Sequence, residues 1–226
     1  MPAHPLDNPI WQSLAFRHRE LALARGEVLR YPAEIAPFLG VPGPGTALRP
    51  AIDELVAPDE SVYLLGAPPA EPAGWALRHL GDLAQMVCNT PLPEVAGPPF
   101  IALDERHRAD VLALTALVYP HYFRPQTMRL GRYFGIYEQG VLAAIIGERM
   151  GPPGWREVSA VCTHPDFLGR GYARRLMAWL GNDILASGLI PFLHVSQQNT
   201  RALELYRNNG YRLRAQIPFW SLARAS

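Results

Sequence analysis

The run Glu157–Thr163 is apolar and β-branched. It leads through His164-Pro165 to the turn Gly169-Arg170-Gly171, and a helix-forming stretch opens at Tyr172. A strand, a glycine turn and a helix N-terminus in that order make an anion cradle. Glycine lets bare backbone approach a phosphate, the first helical N–H groups lack internal partners, and the helix dipole favours negative charge there. Arg170, Arg174 and Arg175 stand in or just after the turn and supply forked donors suited to phosphate oxygens. Farther along, Asn199 is placed to cap a short helix, Thr200–Asn208, that carries Tyr206 and ends at Gly210.

These residues need a scaffold. Phe100–Leu103 reads as a strand, and Asp104 caps a helix running to about Val118. Tyr133–Tyr137 and Val141–Met150 form a hairpin about Gln139-Gly140, and Gly151–Gly154 is a second turn. The helix after the glycine turn runs to about Ala186. Ile190–Val195 is a buried strand, and Tyr211–Arg214 and Phe219–Leu222 close the sheet as two further strands. In the first half, Asn8-Pro9 starts a helix expected to reach Arg25 and stop at Gly26. Strands follow at Glu27–Tyr31, Ser61–Leu65 and Trp75–Leu80, with a short helix at Arg49–Val56. Asn89–Pro99 is rich in proline and without periodicity. It sets the expected division: an α/β unit at 1–90, a linker at 91–99 and a second domain at 100–226.

Composition narrows the class. The chain has 226 residues, 49% of them hydrophobic and 18% charged, as in a soluble globular protein. A net charge of +1 gives no reason to expect nucleic acid, and no apolar run approaches the roughly 18 residues of a membrane span. The N-terminal residues lack a secretory pattern, and Cys88 and Cys162 have neither metal nor disulfide-framework spacing, so a cytoplasmic protein without a metal is expected. All 21 basic residues are arginine. A GC-rich genome produces that bias, and a lysine-modifying enzyme that spares itself would look the same.

The order of elements resembles the GNAT superfamily of acetyl-CoA-dependent N-acyltransferases over about Phe100–Ser226. Leu168-Gly169-Arg170-Gly171-Tyr172-Ala173 fits the family's turn except at Leu168, where the family carries arginine or glutamine. Asn199, Ala202 and Tyr206, followed by Asn209-Gly210-Tyr211, match its second motif. The resemblance implies a mixed, mostly antiparallel α/β (α+β) sheet flanked by helices, with the first half as a smaller α/β addition. It also implies acetyl-CoA as acyl donor, a small-molecule or peptide amine as acceptor, and a possible homodimer.

Acetyl-CoA asks for three things. Its pyrophosphate would sit on Gly169, Arg170, Gly171, Tyr172, Ala173 and Arg174, with Asn199 nearby. Its pantetheine arm is peptide-like and would pair with the backbone of Val161, Cys162 and Thr163 as an added strand. Its leaving thiolate can use a proton donor, and the family match assigns that role to Tyr206, which on spacing alone could equally be a core aromatic.

The general base is read as Glu157. A four-residue turn sets Glu157 opposite Glu148, where mutual repulsion would raise one carboxyl pKa. A one-residue slip instead gives the salt bridges Arg149–Glu157 or Glu148–Arg156. His194 and His164 are lesser candidates. Tyr119, Tyr122, Phe123, Phe219 and Trp220 are expected around the acceptor. The alternative function is a non-catalytic CoA-binding module. A nucleotide-binding fold lacks its GxxxxGK[ST] run and its βαβ repeat.

Overall fold

The computed structural model describes residues 4–66, 68–118, 120 and 122–225. In chain order its elements are α1 (Pro9–Ala15), β1 (Leu23–Arg25), β2 (Val28–Arg30), β3 (Leu39–Gly40), α2 (Ala51–Leu55), β4 (Val62–Leu65) and β5 (Trp75–Val87). There follow β6 (Ile101–Leu103), α3 (Arg108–Val118), β7 (Tyr133–Glu138), β8 (Val141–Glu148) and β9 (Trp155–Thr163). The last elements are α4 (Tyr172–Ala186), β10 (Ile190–Ser196), α5 (Thr200–Asn208) and β11 (Arg212–Arg224). None of these helices is long and apolar enough to cross a membrane.

Eight strands form one sheet in the order β4-β11-β5-β10-β9-β8-β7-β6, and β1-β2-β3 form a small second sheet. Within the large sheet only β9 and β10 run parallel, because α4 carries the chain back across the sheet between them; its other strand pairs are antiparallel. The mixed, mostly antiparallel α/β architecture is therefore present. One apolar layer lies between the sheet and α4, built on Leu176, Met177, Leu180 and Ile184 against Val158, Leu193 and Ile146. The opposite face is covered by α1, through Ile10 and Leu14, and by α3, through Val111 and Leu114.

The sheet crosses the division expected at 91–99. β5, from the first half, is an interior strand: Leu83–Val87 pairs with β10 and Trp75–Val87 with β11. The expected strand Trp75–Leu80 is longer because residues 81–87 also pair with β11, and 83–87 with β10 as well. The expected strands Tyr211–Arg214 and Phe219–Leu222 become the single strand β11, from Arg212 to Arg224, because residues 215–218 also pair with β5. The proline-rich run lies along α4, where Asn182 accepts a hydrogen bond from Leu92 N at 2.7 Å and donates to Leu92 O at 2.9 Å.

The helix expected from Pro9 to Arg25 ends at Ala15. His18 turns inward, within hydrogen-bond reach of Ser13 and Tyr31 through Nδ1 and of the Leu130 carbonyl through Nε2. Gly26, at φ +58, turns between β1 and β2 rather than capping a helix. Elsewhere the sequence boundaries hold closely. α4 spans Tyr172–Ala186, Asn199 Oδ1 caps α5 by accepting from Ala202 N at 3.1 Å, and Gln139-Gly140 joins β7 to β8 with positive φ at both residues.

Candidate active site

β9 and β10 pair only from Trp155 to Glu157. Past that point β10 stays on β5 as far as Ser196, while the facing edge of β9 has no strand partner among the described residues. The ladder between β8 and β9 is irregular here, and Ala160 sits at φ +51. A positive φ on a residue with a side chain is costly, and an extra residue bends and twists its strand. The bulge thus sets the aim of the strand end.

A cleft of about 460 Å³ borders the C-terminal end of β9. Val161 and Thr163 line one wall. The glycine turn and the start of α4, from Gly169 to Arg174, line another. Asn199, Arg201, Ala202, Leu205 and Tyr206 of α5 line the third. A Cβ built on Gly169 or Gly171 would meet open space, and Gly171, the N-cap of α4, receives no side-chain cap. The α4 N-terminus therefore opens on the cleft, and the lining holds no aspartate or glutamate. Arg170 lies over the Phe167 ring at 4.9 Å, and Tyr172 donates from its hydroxyl to Glu138 at 3.1 Å. The Asn199 oxygen is committed to capping α5, which leaves its amide nitrogen as the polar group for a ligand.

Ten of the twelve residues expected at the site from sequence thus line one cleft. Cys162 does not. It faces the α3 side among Leu114, Tyr133 and Ile145, and burial pushes its thiol up to about 12. Only its backbone is placed on the strand that borders the cleft. Glu157 does not line it either. Its register partner is Arg149, the slipped pairing, and not Glu148. Arg149 grips both carboxylate oxygens at 2.7 Å, His194 Nδ1 lies 2.7 Å from Oε1, and Met150 N donates to Oε2 at 3.2 Å. Burial by itself would raise this carboxyl's pKa. The Arg149 charge and these hydrogen bonds outweigh it and hold the group at about 2. The register corrects the expectation that Glu148 stands opposite Glu157 and raises its pKa, since Arg149 stands there and lowers it. Glu148 has its own partners, Arg17, Arg132 and Arg156.

His194 is fixed as well. Gln85 accepts from Arg214 through its oxygen at 2.7 Å and donates to the Leu6 carbonyl at 2.8 Å. Its second amide hydrogen points to His194 Nε2 at 2.9 Å, so Nε2 accepts and Nδ1 donates to Glu157. His164 accepts from Asp166 N at 3.3 Å, a turn bond at the approach to the glycine turn.

On the face away from the cradle, Tyr122 and Phe219 come together with Tyr63 and Phe38, with ring centroids 5.2 to 6.4 Å apart. Phe123 packs instead on Tyr133, and Trp220 on His79. Tyr119 lies outside the described residues. Sequence reasoning missed Arg201 and Leu205. Their signal was helical spacing, since both fall within the turns that carry Asn199, Ala202 and Tyr206.

An open strand edge leading into a glycine turn at a helix N-terminus offers one continuous site for a ligand with a peptide-like arm and a phosphate group. The model of the FR47-like protein family matches residues 133–220. A crystal structure from Novosphingobium aromaticivorans, of a protein assigned to the GNAT-family acetyltransferases, is 33% identical. The match covers 99% of this chain and 100% of that one at a TM-score of 0.90. The chain belongs to the GNAT family of acetyltransferases. A GCN5-related N-acetyltransferase from Kribbella flavida shares the fold at a TM-score of 0.60 and 15% identity, with 95% of each chain covered. A GNAT-family acetyltransferase from Colwellia psychrerythraea does so at 0.54 and 12%, over 86% of this chain and 80% of that one. No curated protein matches the chain in sequence.

Proposed function

We propose that this protein moves an acetyl group from acetyl-CoA to a primary amine on a small molecule or peptide, by direct transfer in a ternary complex in the cytoplasm. The observation that carries the reading is the acid-free cleft that joins the free edge of β9 to the open N-terminus of α4, with Tyr206 on its wall. The pyrophosphate rests on the backbone of Gly169–Ala173 beside Arg170 and Arg174. The pantetheine amides pair with β9 near Val161 and Thr163, which leads the thioester toward the point where β9 and β10 part.

There the amine nitrogen bonds to the acetyl carbon, the C–S bond breaks, and Tyr206 donates a hydrogen bond, or its proton, to the departing sulfur. With an unperturbed phenol pKa near 10 against about 8.5 for a thiol, polarisation of the sulfur is the larger part of that role. The amine loses its proton to water, since Glu157 is held as a carboxylate with both oxygens engaged. A covalent cysteine route is disfavoured because the Cys162 thiol is buried on the far side of β9.

The test is a panel of primary amines assayed for thiol release from acetyl-CoA, with titration calorimetry of acetyl-CoA against NAD and ATP. The expected result is turnover with at least one amine and binding of acetyl-CoA alone. Preference for a nucleotide would overturn the donor assignment, and tight acetyl-CoA binding with no turnover on any amine would favour a non-catalytic module.

A further inference from the structure

Three arginines line the cleft, Arg170, Arg174 and Arg201, and none has an ion-pair partner among the described residues. Arginines elsewhere near the sheet behave differently: Arg132, Arg149 and Arg156 each hold a buried carboxylate. Two of the cleft arginines also occupy unfavourable ground. Arg174 stands in the first turn of α4 and Arg201 in the first turn of α5, and neither helix has an acidic residue there. A cation at a helix N-terminus opposes the dipole, at a cost of about 0.3–1 kcal/mol. Without a ligand the arrangement is repulsive on both walls. An anion spanning the two walls makes it attractive.

The α4 wall matches two phosphate charges, with its open backbone N–H groups, its dipole, Arg170 and Arg174. The α5 wall differs. Its leading N–H is already taken, because Asn199 Oδ1 accepts from Ala202 N. Backbone donation there is reduced, and the guanidinium of Arg201 becomes the principal donor. A guanidinium offers paired N–H groups that fit a phosphate monoester, which carries nearly two charges at neutral pH. Coenzyme A carries such a group, the 3′-phosphate of its ribose, separate from the pyrophosphate. Resting on the acetyl-CoA reading above, we infer that Arg201 binds this 3′-phosphate from the α5 wall and makes the protein discriminate acetyl-CoA from its 3′-dephospho form.

Calorimetry with acetyl-CoA and 3′-dephospho-acetyl-CoA, on the native protein and on Arg201→Ala and Arg201→Gln, tests this. Arg201 is exposed, and thermal melts will establish that both variants fold. The native protein should bind acetyl-CoA about tenfold or more tightly than the dephospho form, as loss of a charged hydrogen-bonded pair implies. In both variants the ratio should fall to about twofold or less while affinity for the dephospho form stays unchanged. Equal affinity of the native protein for the two ligands would overturn the inference, as would an equal loss for both ligands in the variants, which would put Arg201 on the pyrophosphate. Binding of neither ligand to the native protein would remove the acetyl-CoA reading itself, and this inference with it.

Discussion

Glu157 of β9 and His194 of β10 meet at 2.7 Å just where the two strands cease to pair. The contact ties β9 to β10 at the end of their pairing. It is sheathed on one side by Arg149 and on the other by Gln85. Each partner of the pair is engaged on both sides, so the contact acts as a strut between the two strands.

Glu157→Gln should therefore damage stability first. It removes the charge that balances a mostly buried Arg149, and breaking a buried pair costs about 3–5 kcal/mol. A fall in Tm of about 10 °C is expected for a chain of this size. The native kcat/KM should rise with pH along the acceptor amine's own ionisation. An enzyme inflection at about pH 6–7 that disappears in Glu157→Gln would restore this residue as the base.

Tyr206→Phe leaves the ring, and with it the packing against Tyr211 at 6.2 Å, in place. Turnover should fall by about 10²-fold or more, as loss of a positioned proton donor does, with acetyl-CoA affinity little changed. An unaltered kcat in a steady-state assay would exclude the hydroxyl from the chemistry.

His18 supplies a pH dependence of stability. Burial and the neighbouring Arg17 charge lower its pKa from 6.5 to about 4, so the folded protein holds it neutral while the unfolded chain protonates it. Between those values the unfolded state binds more protons, and stability rises with pH. On acidification the loss begins near pH 6.5, is complete below about pH 4, and amounts to about 3 kcal/mol. Melts taken across this range should show a smaller acid-induced fall in Tm for His18→Gln than for the native chain. Parallel falls would assign the effect to other groups.

Residues 91–226 alone should not fold. Without β5, Leu83–Val87 and Trp75–Val87 no longer fill the space between β10 and β11, and two interior edges lose their backbone partners. A cooperative melt or a dispersed amide spectrum from that fragment would contradict the prediction.

Much of the site was legible in the sequence because it is local. The turn, the α4 start and the Asn199 cap are each set by short-range chemistry: glycine conformations, open helical N–H groups and a side-chain cap. The partner of Glu157 was misread because its environment is not local. Its pKa depends on register against Arg149 and on His194 from another strand, and a one-residue slip exchanges a repelling carboxylate for an attracting guanidinium. The place of β5 was illegible for the same kind of reason. A proline-rich stretch looks alike whether it separates two bodies or returns the chain along a helix, and strand order depends on pairings more than 100 residues apart. The helix expected to reach Arg25 ends at Ala15, and His18 beyond it bonds to Tyr31 and Leu130 in later segments.

The position of β5 also governs when this protein can assume its shape. Trp75–Val87 is made before both strands it must join, which are encoded after residue 189. During synthesis its amides wait in water while residues 88–189 are made. Closure of the sheet waits until residues 190–224 have been made, and with so many distant pairings folding should be slow for a domain of this length.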